Sequence, residues 1–115
     1  MSVYLAHATR YKNNIPAALV IYCGRTFAGF GDLGLGNQTR TSDAEWRRKY
    51  KRQLDVAYAR PGAPRRVLSE AFQALSEGRD VVLLCWCFDT LTEFQPVEYH
   101  RVKCHTEIIG RFLTQ

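Results

Sequence analysis

Two apolar runs with helical segments between them constrain the fold of this chain more than any other feature. Residues 17–24 (AALVIYCG) and 79–87 (RDVVLLCWC) are rich in β-branched and other large apolar side chains. Runs of this kind are typical of strands that are buried on both faces of a sheet. Residues 2–8 alternate their side chains and predict a further strand. The three segments together predict a small central sheet.

Three other segments have the apolar spacing of amphipathic helices. Residues 42–60 begin with Ser42 and Glu45 in a capping-box pattern and place their apolar side chains on one stripe. Residues 63–78 have a proline near their start and a glycine at their end, and residues 104–115 predict a short terminal helix. The order of elements predicts an α/β fold, a three-layer sandwich with a small, mainly parallel central sheet, in which all 115 residues form one domain.

Positive charge is concentrated in the middle of the chain. Residues 40–66 carry nine basic and three acidic side chains, whereas residues 67–115 carry four basic and seven acidic ones. This concentration fits contact with a polyanion or a phosphorylated partner. The candidate nucleic-acid contacts are Arg47, Arg48, Lys51 and Arg52. The alternative interpretation is a solvated helix face that only keeps the protein in solution.

No stretch of the sequence predicts a membrane span or a secretory signal. The longest apolar run, residues 81–88, has eight residues, and the first ten residues lack the charged region and cleavage site of a signal peptide. We therefore expect a cytoplasmic protein with no membrane partner. In that compartment the four cysteines are free thiols, metal ligands or catalytic groups rather than structural disulfides.

Glycines dominate the segment that follows the second predicted strand. Five of them fall between residues 24 and 41, and neither a helix nor a strand fits this stretch. The G-x-G-x-x-G pattern at residues 29–34 is not a dinucleotide fingerprint, because no helix follows it directly. A loop of this length is usually functional. We expect either an anion site, built from backbone N–H groups with Arg25 or Arg40, or a purely structural loop.

Three cysteines and one histidine in the C-terminal part have the side-chain types that zinc prefers. They are Cys85, Cys87, Cys104 and His105. Cys85 and Cys87 point to the same face of a regular strand, which favours a shared zinc site. A second interpretation makes Cys104 a catalytic nucleophile, because a helix N-terminus lowers the pKa of a thiol, with His105 or His100 as its base. A third assigns the cysteines to core packing.

These segments are expected to meet at one edge of the sheet. The carboxyl ends of parallel strands lie on the same side, and ligands of open α/β sheets bind there. The rim predicted in this way contains Cys23, Gly24 and Arg25, the glycine-rich loop, the Cys85–Cys87 segment and the start of the last helix. The sequence therefore predicts one site rather than several.

Two pairs of short motifs belong to this rim. One pair is Gly24-Arg25 with Gly36-Asn37, and the other is Cys85-Trp86-Cys87 with Cys104-His105. Written as GR…GN and CWC…CH, they resemble the motifs of a small prokaryotic and phage family of unknown function, over most of the chain from about Ala18. The resemblance implies a fold and a site but no reaction, and the residues that it marks are Gly24, Arg25, Gly36, Asn37, Cys85, Cys87, Cys104 and His105. We expect Gly24, Arg25, Gly36 and Asn37 to form the ligand-binding part of this site.

The chain departs from that family's pattern at three places. Gln38 replaces the usual proline, and Thr106-Glu107 stands where the family has Gly-Asp. The gap between Cys87 and Cys104 is longer than the family's few residues. The longer gap affects the metal interpretation most, because the spacing of ligands sets the geometry of a metal site.

Three functions are compatible with these observations. The first is binding of a nucleotide-like or nucleic-acid ligand at the rim, with zinc or thiols organising the cysteines. The second is a small enzyme that uses Cys104 as its nucleophile. The third is a phage-borne protein that binds a host factor through its surface, which would place it in the host cytoplasm.

Overall fold

The computed structural model describes residues 2–115 and shows an α/β fold. The strands are β1 (Val3–His7), β2 (Leu19–Tyr22), β3 (Val81–Cys85) and β4 (Thr92–Glu93). The helices are α1 (Trp46–Tyr58), α2 (Ala63–Ser76) and α3 (His105–Thr114), and a 3₁₀ turn covers Tyr99–Arg101. Every predicted strand and helix is present, and most are a few residues shorter than predicted. β4 is an additional strand.

The four strands form one mixed sheet in the order β2-β3-β1-β4. β3 pairs in parallel with both β2 and β1, and Leu83 of β3 lies opposite Ile21 and Leu5. β4 runs antiparallel to β1, where Tyr4 pairs with Glu93. The prediction of a mainly parallel sheet is therefore wrong. The connection after β3 turns back along the free edge of β1, and two paired residues leave no periodic pattern in the sequence.

The two faces of the sheet are covered in different ways. Leu5 and Leu83 belong to a core to which all three helices contribute buried side chains. On the other face, Val82 packs in a cluster with loop side chains such as Tyr11 and Phe30. The expected three-layer sandwich does not describe this arrangement, because the connection between β1 and β2 contains no helix to cover the second face.

β2 is an edge strand rather than a strand buried on both faces. Val20 of β2 is 39% exposed, whereas all five residues of β3 are buried. β3 has a paired neighbour on each side, and β2 has one. The two apolar runs look alike in the sequence, so their different positions follow from strand order and not from composition.

α1 begins at Trp46, and the predicted capping box of Ser42 and Glu45 does not form. The carboxylate of Asp43 accepts a hydrogen bond from the N–H of Glu45 at 2.9 Å. The carbonyl of Asp43 accepts one from the N–H of Trp46 at 3.0 Å. Asp43 therefore makes a turn before the helix, as aspartate commonly does when its side chain competes for backbone groups.

None of the helices within residues 2–115 has the length and apolar composition of a membrane span. α1 has 13 residues and α2 has 14. A helix that crosses a bilayer needs about 20 predominantly apolar residues.

Candidate metal and ligand site

A cleft of about 790 Å³ opens at the carboxyl ends of β2 and β3. Its lining includes Arg25, Asn37, Arg40, Cys85, Cys87 and His105. Gly24 also lines it, whereas Gly36 does not. The structure thus brings the Gly-Asn loop (residues 24–41) and the Cys-His rim (the three cysteines Cys85, Cys87 and Cys104 with His105) to one place.

Three sulfur atoms form a compact group in the wall of this cleft. The Sγ atoms of Cys85, Cys87 and Cys104 all lie within 4.8 Å of one another, and those of Cys85 and Cys104 are 3.2 Å apart. All three are free cysteines. Zn–S bonds of about 2.3 Å place tetrahedral sulfur ligands about 3.8 Å apart, so this pair needs to separate by only about half an ångström. The three-cysteine group can therefore hold a metal ion.

Local structure fixes each sulfur atom. Cys85 is the last residue of β3, and its Sγ accepts the backbone N–H of Cys87 at 3.3 Å, which turns the chain after the strand. Cys104 precedes α3, where the carboxylate of Glu107 accepts the N–H of Cys104 at 3.1 Å. The buried hydroxyl of Thr106 donates to Sγ of Cys104 at 3.2 Å. The end of β3 and the start of α3 thus bring the cysteine side chains together.

Hydrogen bonds among the cysteines shift the pKa values of Cys85 and Cys104 in opposite directions. Hydrogen bonds from Cys104 and then from Cys87 lower the pKa of Cys85 below that of an ordinary thiol. The hydrogen bond with Cys85 raises the pKa of Cys104, and burial raises it further. The group therefore stabilises a thiolate at Cys85, and thiolate is the form of cysteine that binds metals.

His105 stands beside the three-cysteine group and is held outside it. Its Nε2 lies 2.5 Å from the carbonyl oxygen of Cys23, and its ring packs edge-on against Tyr50 with centroids 5.1 Å apart. Its Nδ1 lies 3.7 Å from Sγ of Cys104. Burial lowers the pKa of His105, so the neutral ring donates from Nε2 and has a lone pair on Nδ1. Among the described residues, the three sulfurs form the only group of three or more ligand atoms that all lie within 4.8 Å of one another, and the nitrogens of His105 are not part of it.

The glycines of the Gly-Asn loop allow close packing within the loop. The carboxylate of Asp32 accepts the N–H of Gly36 at 3.3 Å. A Cβ atom on Gly36 would lie 2.7 Å from Cγ of Arg25, and one on Gly24 would lie 2.5 Å from the hydroxyl oxygen of Tyr22. Both distances are too short for a side chain. Gly24 and Gly36 therefore shape the loop that carries Arg25, and Gly36 is too buried to touch a ligand in the cleft.

Two guanidinium groups at the cleft have no polar partner within residues 2–115. Arg25 and Arg40 are exposed cleft residues, and no hydrogen bond or ion pair engages their side chains. Asn37 lies between them in sequence, and its side-chain oxygen accepts the N–H of Thr39 at 3.0 Å. The amide N–H groups of Asn37 remain available. These three side chains offer hydrogen-bond donors to an anion.

Aromatic rings complete the cleft, and the sequence patterns did not indicate them as site residues. Phe27 is 64% exposed, and its ring stands edge-on to that of Trp86 with centroids 5.3 Å apart. The indole N–H of Trp86 donates to the hydroxyl of Tyr22 at 2.9 Å, and this hydroxyl donates to the carbonyl of Arg25 at 2.5 Å. The one indication of them in the sequence was that Trp86 lies between two cysteines of the rim.

The basic residues of α1 do not line the cleft. Three of the four predicted nucleic-acid contacts have partners within the chain. Arg47 donates to the carbonyl of Val102 at 2.8 Å, Arg48 pairs with Glu45 at 2.7 Å, and Lys51 pairs with Asp55 at 2.7 Å. Of the four, Arg52 alone has no polar side-chain partner in the described part of the chain. The charge-rich helix and the cleft are therefore separate surfaces.

Cys104 does not have the surroundings of an activated nucleophile. It is only 1% exposed and does not line the cleft. Its neighbouring sulfur atoms and its burial raise its pKa, although it precedes a helix N-terminus. His100, the other candidate base, is exposed and lies 3.3 Å from Glu98. The interpretation of Cys104 as a catalytic residue with His105 or His100 is not supported by this geometry.

Comparisons of the chain with models of known protein families, with curated proteins and with solved structures gave no match. The resemblance of the two motif pairs to a prokaryotic and phage family therefore stays a prediction. The function has to be inferred from the cleft and the three-cysteine group themselves.

Proposed function

We propose that this protein binds a nucleotide-like, phosphorylated ligand in the cleft between the Gly-Asn loop and the Cys-His rim. One observation carries this proposal: the unpaired guanidinium groups of Arg25 and Arg40 share the cleft with the rings of Phe27 and Trp86. Guanidinium groups bind phosphate through paired hydrogen bonds, and aromatic rings stack on bases. The cleft thus offers contacts for both ends of a nucleotide.

Zinc is the ion that we propose for the three-cysteine group. Thiolate ligands favour zinc over magnesium or calcium, which prefer oxygen. Cys85 and Cys87 line the cleft, so a zinc ion bound by them would lie in the wall that Arg25 also lines. Zinc binding requires reduced thiols, which supports the cytoplasm as the compartment.

Calorimetric titration of the zinc-loaded protein with nucleoside mono-, di- and triphosphates tests the proposal. Removing one charged hydrogen-bond partner of a phosphate costs about 1.5–3 kcal/mol, so Arg25→Gln and Arg40→Gln are each expected to weaken binding about tenfold or more. Arg60→Gln is the matched control, because Arg60 is exposed and lies outside the cleft lining. Its affinity should stay within about twofold of the unsubstituted protein.

Two results would contradict this function. One is the absence of binding by any nucleotide of the series. The other is equal binding by the Arg25→Gln and Arg60→Gln variants. Binding of polynucleotides alone, with steep salt dependence, would move the ligand site to α1.

A further inference from the structure

The three-cysteine group supplies three ligands, whereas zinc in proteins takes four. Thr106 and Glu107 are close to it but are otherwise engaged. The hydroxyl of Thr106 is fully buried behind Cys104, and neutral hydroxyls are not usual zinc ligands. The carboxylate of Glu107 accepts the N–H groups of Lys103 at 2.8 Å and Cys104 at 3.1 Å. Neither side chain is free to complete the coordination.

His105 has the right chemistry for a fourth ligand, and a bond from Nε2 leaves Nδ1 free for a metal, but its ring nitrogens are not within 4.8 Å of all three sulfurs. Its Nε2 is bonded to the carbonyl of Cys23, and its ring packs against Tyr50. Tyr50 is itself fixed, because its hydroxyl donates to the carbonyl of Leu35 at 2.6 Å and the residue is fully buried. The packing against Tyr50 restrains movement of the His105 ring toward the other sulfur atoms.

The remaining side of the three-cysteine group faces the cleft. Cys85 and Cys87 line the cleft, and Cys87 is an exposed residue, whereas Cys104 lies buried behind them. We propose that the metal keeps its fourth coordination position open to the cleft, where it takes an anionic atom of the ligand. This inference rests on the proposed function. His105 then lies beside the metal and is not one of its ligands.

An open position has a chemical consequence that a closed one lacks. Zinc sites with four protein ligands are structural, and sites with three protein ligands bind water or substrate at the fourth position. The phosphate of a cleft ligand would contact both the metal and Arg25, which selects ligands that carry an anion over neutral nucleosides. Nucleosides without phosphate are therefore expected to bind much more weakly than nucleotides.

Cobalt(II) substitution of the full chain, prepared with a reductant, tests the open position. Azide is the probe, because it is a small anion that coordinates cobalt and does not need the aromatic contacts of the cleft. We expect azide to shift the visible absorption bands of the bound cobalt, with saturation at one azide per cobalt. The His105→Ala variant should keep one cobalt per chain and the same response.

A closed site would give the opposite results. Unchanged cobalt bands in the unsubstituted protein at saturating azide would overturn the inference, whether or not the His105→Ala variant folds. Loss of cobalt from a folded His105→Ala variant, or an azide response that only this variant shows, would identify His105 as the fourth ligand.

The Arg25→Gln variant separates this inference from the proposed function. It should keep the azide response and bind nucleotides about tenfold more weakly. If the unsubstituted protein shows the azide response but binds no nucleotide, the ligand class is wrong and the open position stands. If it binds nucleotides but no cobalt or zinc, the open position is overturned and the phosphate-binding cleft stands.

Discussion

The cleft and the α1 helix face are both cationic, but they differ in what their charges contact. On α1, Arg48 and Lys51 pair with Glu45 and Asp55 at 2.7 Å. At the cleft, the guanidinium group of Arg25 has no polar partner within residues 2–115, and neither has that of Arg40. The sequence points to α1 because basic residues are concentrated there. The structure points to the cleft because a ligand needs unpaired donors in a concave surface.

The three-cysteine group, which lies at the cleft and not on α1, is expected to give the largest effect. Cys85→Ser should remove bound zinc, from about one ion per chain to nearly none, because three-cysteine coordination does not survive the loss of a sulfur ligand. Mass spectrometry of the purified, reduced protein measures the metal content. Cys23→Ala is the control, since Cys23 is equally buried but lies outside the three-cysteine group. Equal zinc content in both variants would show that Cys85 does not bind the metal. The cleft would then not differ from α1 by a metal site.

Packing of the Gly-Asn loop gives the next largest effect. A Cβ atom at Gly36 would lie 2.7 Å from Cγ and 3.0 Å from the backbone nitrogen of Arg25, so Gly36→Ala forces both to move. Overpacking of this kind lowers the free energy of unfolding by about 1–3 kcal/mol, and we expect weaker nucleotide binding in addition.

Gly31→Ala is the matched control, because a Cβ atom on Gly31 has no heavy atom within 4 Å. Urea denaturation should show its free energy of unfolding within about 0.5 kcal/mol of the unsubstituted protein. Equal stability and equal nucleotide affinity of the two variants would show that the loop does not depend on this close approach.

Substitution on α1 should have the smallest effect. The double variant Arg48→Gln/Arg52→Gln removes two exposed charges, of which one has a surface ion pair. Surface pairs contribute about 0.2–1 kcal/mol, so stability should change little, and nucleotide affinity in the cleft should stay within about twofold. A tenfold loss of affinity, measured by the same calorimetric titration, would mean that α1 takes part in the site and that the two regions act together.

Local patterns predicted much of the fold. The apolar runs around Ile21 and Leu83 form β2 and β3, and the stripe that contains Trp46, Tyr50 and Leu54 is the buried face of α1. Short-range side-chain spacing determines which segments can bury a face, and it is visible in a single sequence. The prediction that the Gly-Asn loop and the Cys-His rim meet also followed from this order, because parallel strands end on the same side.

Features that depend on distant contacts were not predictable in this way. The antiparallel strand β4 and the edge position of β2 both depend on which segments become neighbours. Cys104 has the sequence position of an activated thiol, but two other sulfur atoms and burial set its environment. His105 has the sequence position of a metal ligand, but its nitrogens are not within 4.8 Å of all three sulfurs, and its Nε2 bonds the carbonyl of Cys23, 82 residues away.

The sequence by itself determined the composition of the site: three cysteines, a histidine and an arginine-bearing glycine loop, on segments whose order sends them to one rim. Only the tertiary structure decided their roles. It placed three sulfurs within 4.8 Å of one another, held His105 beside them and left Arg25 unpaired. The physical reason is that residue types set which bonds can form, whereas the competition between neighbours from distant segments sets which bonds do form.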